Sequence, residues 1–141
     1  DDLGLHAALT WLGRTMSETS GASIEIECEA EFPDPEGEIA TLCFRLVQES
    51  LNNVAKHANA SNVLVKINTK NKHLHLLVVD DGIGFNPEQA IAKDSNGSST
   101  GLGSMRERVA LFGGQLNLIS TPGDGTQIRA SIPLYSKESI V

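Results

Sequence analysis

At 141 residues the chain fits one domain with a core of its own and is short for two. A hydrophobic fraction of 40% is ordinary, but aromatics at 4% are scarce, so the core must come from Leu, Val, Ile and Ala, and base stacking is excluded as a main purpose. A net charge of -7, with no dense run of Lys and Arg, argues against a nucleic-acid surface, and a polyanionic ligand would need local compensation.

Cys28 and Cys43 form no CxxC pair, which reads as a reduced, intracellular chain with small buried thiols and no zinc framework. No signal peptide opens the sequence, and its apolar runs are far shorter than a membrane span. The opening "DDLGLHAALTWL" lacks an initiator Met and enters helical periodicity at once. The expectation is a soluble piece of a longer protein whose parent can be membrane-anchored.

Leu5, Leu9, Leu12 and Met16 recur at three- and four-residue spacing, which predicts an amphipathic helix capped by Asp1 or Asp2 and stopped by Gly21. Ile24, Ile26 and Cys28 then alternate with Glu25, Glu27 and Glu29, a half-exposed strand expected at a sheet edge. "FPDPEG" (32–37) is loop chemistry. A long helix follows, with Ile39, Leu42, Cys43, Leu46, Val47, Leu51 and Val54 inward and Arg45, Glu49, Asn53 and Lys56 along a second, polar stripe.

Val63, Val65 and Ile67 alternate, "TKNK" (69–72) turns, and Leu74, Leu76 and Val78 alternate again, an antiparallel hairpin whose second strand runs into Asp80. Residues 86–100 are polar and weakly periodic, a loop suited to a mobile lid. Met105, Val109 and Phe112 predict a short helix ended by Gly113 and Gly114. A last hairpin follows, with Leu116 and Leu118 in one strand, "TPGDG" (121–125) as the turn, and Thr126, Ile128, Ala130, Ile132 and Leu134 in the other. This order predicts an α+β two-layer sandwich: a mixed or antiparallel sheet with about three helices on one face.

Three stretches carry chemistry. Glu49, Asn53 and Lys56 project to one side of the long helix beside Asn52 and His57, a set suited to a divalent ion and phosphates, although alone it also reads as a solvated face. "DDGIG" (80–84) reads equally as a hairpin turn, but no returning strand follows it. Its glycines admit close backbone approach to a ligand, and a buried carboxylate accepts from an amine. "TGLGSMRER" (100–108) opens a helix with a glycine-flanked turn, where free N–H groups favour phosphate. No Walker sequence, HExxH or GxSxG occurs, and His73 and His75 read as surface residues of a hairpin.

Taken in order, "QESLNNVAKHA" (48–58), "DDGIG" (80–84), "TGLGSMRERV" (100–109) and "PGDGT" (122–126) closely resemble the N, G1, G2 and G3 boxes of the ATP-binding domain of sensor histidine kinases. "GLGSMRERVALFGG" and the opening helix look like the nitrate-sensor and DesK-type subfamily, whose response regulators carry helix-turn-helix output domains. The resemblance implies the Bergerat sandwich. It also implies a helical segment over 1–20 that follows a dimerisation and phosphoacceptor domain, an ATP-binding catalytic domain over 21–135, and a tail over 136–141.

By motif position, Asn53 would coordinate magnesium, Glu49 would support the ion or its water, and Lys56 and His57 would lie near the phosphates. Asp80 would accept from the adenine exocyclic amine, with Gly82 and Gly84 admitting the base and hinging the lid. Gly101, Leu102 and Gly103 would close on the triphosphate of ATP, and Thr126 would complete the adenine-side wall. The implied activity is transfer of the γ-phosphoryl to a histidine elsewhere in the parent, for relay to a response-regulator aspartate. The implied location is the cytoplasm, with the parent possible at the inner membrane. His6 lacks an acceptor's acidic and arginine-bearing context, and no separate phenylalanine-bearing box lies between the glycine boxes. Rivals are an anti-sigma serine kinase, a gyrase- or chaperone-type ATPase fragment, and a docking module without turnover.

Overall fold

The computed structural model describes residues 4–29, 37–58, 60–84 and 101–134. Among these, helix α1 (Gly4–Ser20) is followed by strand β1 (Ser23–Cys28), helix α2 (Gly37–Asn53), strands β2 (Asn62–Lys70) and β3 (His73–Asp80), helix α3 (Leu102–Leu111), and strands β4 (Gln115–Ser120) and β5 (Thr126–Pro133). The sheet order is β1-β2-β3-β5-β4, with β1 parallel to β2 and the other neighbours antiparallel. This is the predicted mixed sheet, with β1 at an edge. The predicted caps Asp1 and Asp2, most of the 32–37 loop and the 86–100 loop lie outside the described residues.

Strand alternation puts Val63, Val65, Ile67, Leu74, Leu76 and Val78 on one face, all buried, and α1, α2 and α3 cover that face. Leu5, Leu9 and Leu12 supply the buried stripe of α1. Gly13, on the same stripe, has an unforeseen part in this packing: a Cβ there would stand 3.1 Å from the Ile26 side chain and 3.4 Å from Ile24, so glycine lets α1 settle directly on β1. Gly21, at φ 78°, ends the helix, its N–H donating to the Ser17 carbonyl at 2.9 Å.

In α2, Leu42, Cys43, Leu46, Val47 and Leu51 are buried as predicted, and burial pushes the Cys43 thiol up to about 12, leaving it a small, neutral core residue. The buried Ser50 hydroxyl satisfies itself on the Leu46 carbonyl at 2.8 Å. Beyond Asn53 the helix widens into one π-helical turn, Val54–Ala58. On the uncovered face, the rings of His73 and His75 stack with centroids 6.2 Å apart.

The β2–β3 turn is tighter than the four residues expected. Thr69 and Lys70 continue the strand, pairing with Leu74 and His73, and only Asn71 and Lys72 make the bend. Both lie in the left-handed region, at φ 54° and 61°, the two-residue geometry whose twist matches the flanking strands. Asn tolerates that conformation and Lys does not. Lys72→Gly is therefore expected to stabilise the fold by about 0.5–1 kcal/mol, the left-handed strain less the entropy cost of glycine. Urea denaturation should show a raised midpoint with an unchanged slope.

Candidate functional site

Topology brings the predicted segments to one end of the sheet. β3 finishes at Asp80, which faces Val63 at the start of β2 on one side and Thr126 at the start of β5 on the other. The end of α2 feeds through residues 59–61 into Asn62, so the helix face carrying Glu49 and Asn53 arrives at this same end.

Asp80 continues the inward row of Leu74, Leu76 and Val78, and so its carboxylate is turned to the core side; the residue is only 8% exposed. One oxygen, Oδ1, accepts the Gly82 N–H at 2.8 Å. Burial holds its pKa above the ordinary carboxylate value, the Gly82 bond opposes this, and the charge of Asp81 adds to the rise. Among the described residues no fully buried side-chain oxygen lacks a partner. The second Asp80 oxygen is therefore the atom that keeps contact with solvent, open to a donor.

Asp81 does something different. The strand's alternation turns it outward, where Oδ1 accepts the backbone N–H groups of Ser61 and Asn62 at 2.8 and 2.9 Å, and Oδ2 accepts the Asn62 side-chain amide at 3.0 Å. Its own N–H donates to the Asn62 carbonyl at 3.2 Å. Asp81 thus staples the start of β2 to the end of β3, and these donors hold its pKa below the usual range.

Glycines close the turn between β4 and β5 onto this strand end. Gly82 is buried, and Gly84, at φ 69°, sits where a Cβ would run into the Thr121 carbonyl. The Gly123 N–H donates to the Ile83 carbonyl, and Gly125, at φ 76°, lies against the Asp80 carbonyl with no room for a Cβ. Across the strands, Thr126 is 6% exposed and its hydroxyl lies 2.9 Å from that of Ser120. The sequence reading overlooked Gly125 and Ser120. Gly125 was legible as a second glycine two residues on in "TPGDG", whereas Ser120 had no local signal.

On the helix side, Glu49 and Asn53 are half-buried, and the Glu49 carboxylate occupies the space a Cβ of Gly101 would need. Gly101, at φ 74°, leads into α3, and its carbonyl accepts the Met105 N–H at 3.1 Å. Gly103 is half-buried in the first turn of α3, and Leu102 opens the helix. The structure thus joins Asp80, Gly82, Gly84 and Thr126 into one group and Glu49 and Gly101 into another. The π-helical turn begins just after Asn53, so Lys56 no longer follows the α spacing assumed for it and is exposed, while the side chain of His57 lies outside the described residues. Glu49 and Asn53 offer hard oxygen donors one helical turn apart, a set that fits magnesium sharing its remaining positions with water and phosphate.

Residues 38–136 match the family described as histidine kinase-, DNA gyrase B- and HSP90-like ATPase. Over 95 residues, 67% of this chain and 25% of the relative, the sequence is 45% identical to the sensor histidine kinase LiaS of Bacillus subtilis (strain 168). Over 141 residues, 98% of this chain and 34% of the relative, it is 38% identical to the signal transduction histidine-protein kinase/phosphatase DegS of Brevibacillus brevis. The fold is similar to that of the Erythrobacter litoralis EL346 blue-light activated histidine kinase, with a TM-score of 0.71 and 25% identity over 97% of this chain and 44% of that one. The chain therefore spans between a quarter and about a third of the curated relatives it matches.

The Asp81 staple has a pH signature. A carboxylate whose native pKa is lowered stabilises the fold above its unfolded pKa, and that contribution is lost as pH falls through the lowered native value. Asp81→Asn should lower Tm at pH 7, and the gap from the unaltered chain should close on acidification through the range below about pH 4. A constant gap across that range in calorimetric melts would show that the charge contributes nothing.

Proposed function

Because this chain belongs to the histidine kinase-, DNA gyrase B- and HSP90-like ATPase family and is an ATP-binding catalytic domain of the sensor-histidine-kinase type, we propose that it binds MgATP and delivers the γ-phosphoryl to a histidine on its parent's dimerisation domain. From there the phosphoryl passes to a response-regulator aspartate. The observation that carries this reading is Asp80: a buried carboxylate with one oxygen committed to Gly82 and the other open, beside Thr126.

The open oxygen accepts from the adenine exocyclic amine, and Thr126 completes that wall. Gly82 and Gly84 keep side chains away from the base. Asn53 would hold magnesium, with Glu49 supporting the ion or its water; when bound, the ion would supply charge neutralisation at the phosphates and polarise the γ-phosphorus. By motif position Lys56 and His57 would belong near the phosphates, and Gly101, Leu102 and Gly103 would bring the start of α3 to the anion. Such a domain catalyses by positioning and charge neutralisation, since phosphoryl transfer asks little covalent chemistry of the protein. In a chain of net charge -7, a magnesium held by Asn53 and Glu49 and the α3 terminus would supply the local compensation a triphosphate needs.

The finer placement, with the nitrate-sensor and DesK-type kinases and a helix-turn-helix response regulator as partner, is supported by "GLGSMRERVALFGG" and by the opening helix. The use of ATP supports a cytoplasmic location for this domain. No helix among the described residues is long and apolar enough to cross a membrane, and an anchor at the inner membrane would belong to the rest of the parent.

Asp80→Asn should weaken ADP and ATP binding about tenfold or more, because it replaces a charged acceptor for a buried hydrogen bond. Since burial raises the Asp80 pKa, affinity in the unaltered chain should begin to fall on acidification above the ordinary carboxylate range, and Asp80→Asn should remove that dependence. Asn53→Ala should abolish the difference between affinities measured with and without magnesium. Calorimetric titrations read all three, and transfer of labelled phosphate to the parent's separately supplied dimerisation domain reads the reaction. Failure of the unaltered chain to bind any adenine nucleotide would sink the proposal.

A further inference from the structure

Three residues stand in one row across the end of the sheet. Asp80 on β3 pairs with Thr126 on β5, and Thr126 pairs in turn with Ser120 on β4. The Ser120 hydroxyl donates to the Gly125 carbonyl at 3.0 Å and meets the Thr126 hydroxyl at 2.9 Å. A serine hydroxyl has one proton to give, and a carbonyl only accepts. With that proton on Gly125, the contact between the two hydroxyls requires Thr126 to be the donor. Thr126 is thereby left with lone pairs and no free proton for any ligand. A carboxylate at Asp80 also only accepts, so the wall formed by these two residues presents acceptors alone.

We propose that Ser120 is a positioning residue for base specificity: by holding the Thr126 proton it keeps the wall acceptor-only and so selects a purine with a 6-amino group over one with a 6-oxo group. This rests on the reading of the site as an adenine pocket. An amino group supplies donors to such a wall, whereas a 6-oxo oxygen meets acceptors and gains nothing for its desolvation. Removing the Ser120 hydroxyl frees the Thr126 proton to turn outward, and the wall can then donate to an oxo group.

The test is calorimetric titration of this 141-residue chain with ADP and with IDP, both with magnesium. The unaltered chain should prefer ADP, and Ser120→Ala should shrink the ADP-to-IDP affinity ratio about tenfold, the scale of one hydrogen bond. Ser120→Thr, which keeps the hydroxyl, should restore the ratio. Thr126→Val, which keeps the shape and removes the proton that would turn outward, should leave the ratio high and should cancel the effect of Ser120→Ala in the double variant. If Ser120→Ala does not fold by circular dichroism, Ser120→Cys, whose sulfur is a weak acceptor for the Thr126 proton, decides by the same shrinkage. An unchanged ratio in a folded Ser120→Ala protein overturns the inference and leaves Ser120 closing a turn. Equal affinity of the unaltered chain for ADP and IDP also overturns it while leaving the nucleotide reading intact. Absence of any ADP binding overturns both.

Discussion

A carboxylate on the core side of a sheet, one place beyond the last apolar residue, is costly unless its oxygens are occupied. Asp80 is in that position, and the surrounding backbone is shaped by it. The chain bends immediately after the strand so that the Gly82 N–H can turn back to one oxygen. Gly125 comes against the Asp80 carbonyl and Gly84 against that of Thr121, contacts that any side chain would block. The remaining oxygen is left open, because the fold satisfies half of a buried acid and stops.

Asp80 and Asp81 show how one residue of register separates two uses of the same side chain. Pleating turns Asp80 to the helix-covered side, where burial raises its pKa, and Asp81 to the outer side, where three N–H donors lower it. The outer acid locks the strand end in place and the inner one is thereby held at a fixed depth. Glu49 and Asn53 come from a different kind of element. They ride on a helix that leads toward β2, whose first residue, Asn62, bonds to Asp81.

Much of the fold was legible because it is written in local periodicity. Alternation marked β2 and β5 through residues that are buried except for Leu134, which is half-buried and lies just past β5, and the stripe of α2 was read nearly residue by residue. The misses have one cause, that the deciding partner lies far away in the chain. Gly13 looks like a weak helix residue until Ile24 and Ile26 pack on it. The predicted turn over 69–72 narrows to Asn71 and Lys72, whose left-handed backbone follows from the register of two strands. The widening after Asn53 breaks a spacing that helical periodicity alone would continue to Lys56.

For the site, the sequence by itself determined which residues are present and in what order: a strand ending in Asp80, an acidic and amide-bearing helix face, a glycine turn ahead of α3, and Thr126 opening a strand. Residue types and spacings are properties of the chain and need no contacts to be read. Only the tertiary structure decided what each acid bonds to, that Gly101 lies against Glu49, that Gly125 covers Asp80, and that Ser120 reaches Thr126. Those facts depend on strand register and on the closeness of backbone segments many residues apart, and both arise when the whole sheet is assembled and its helices pack on one face.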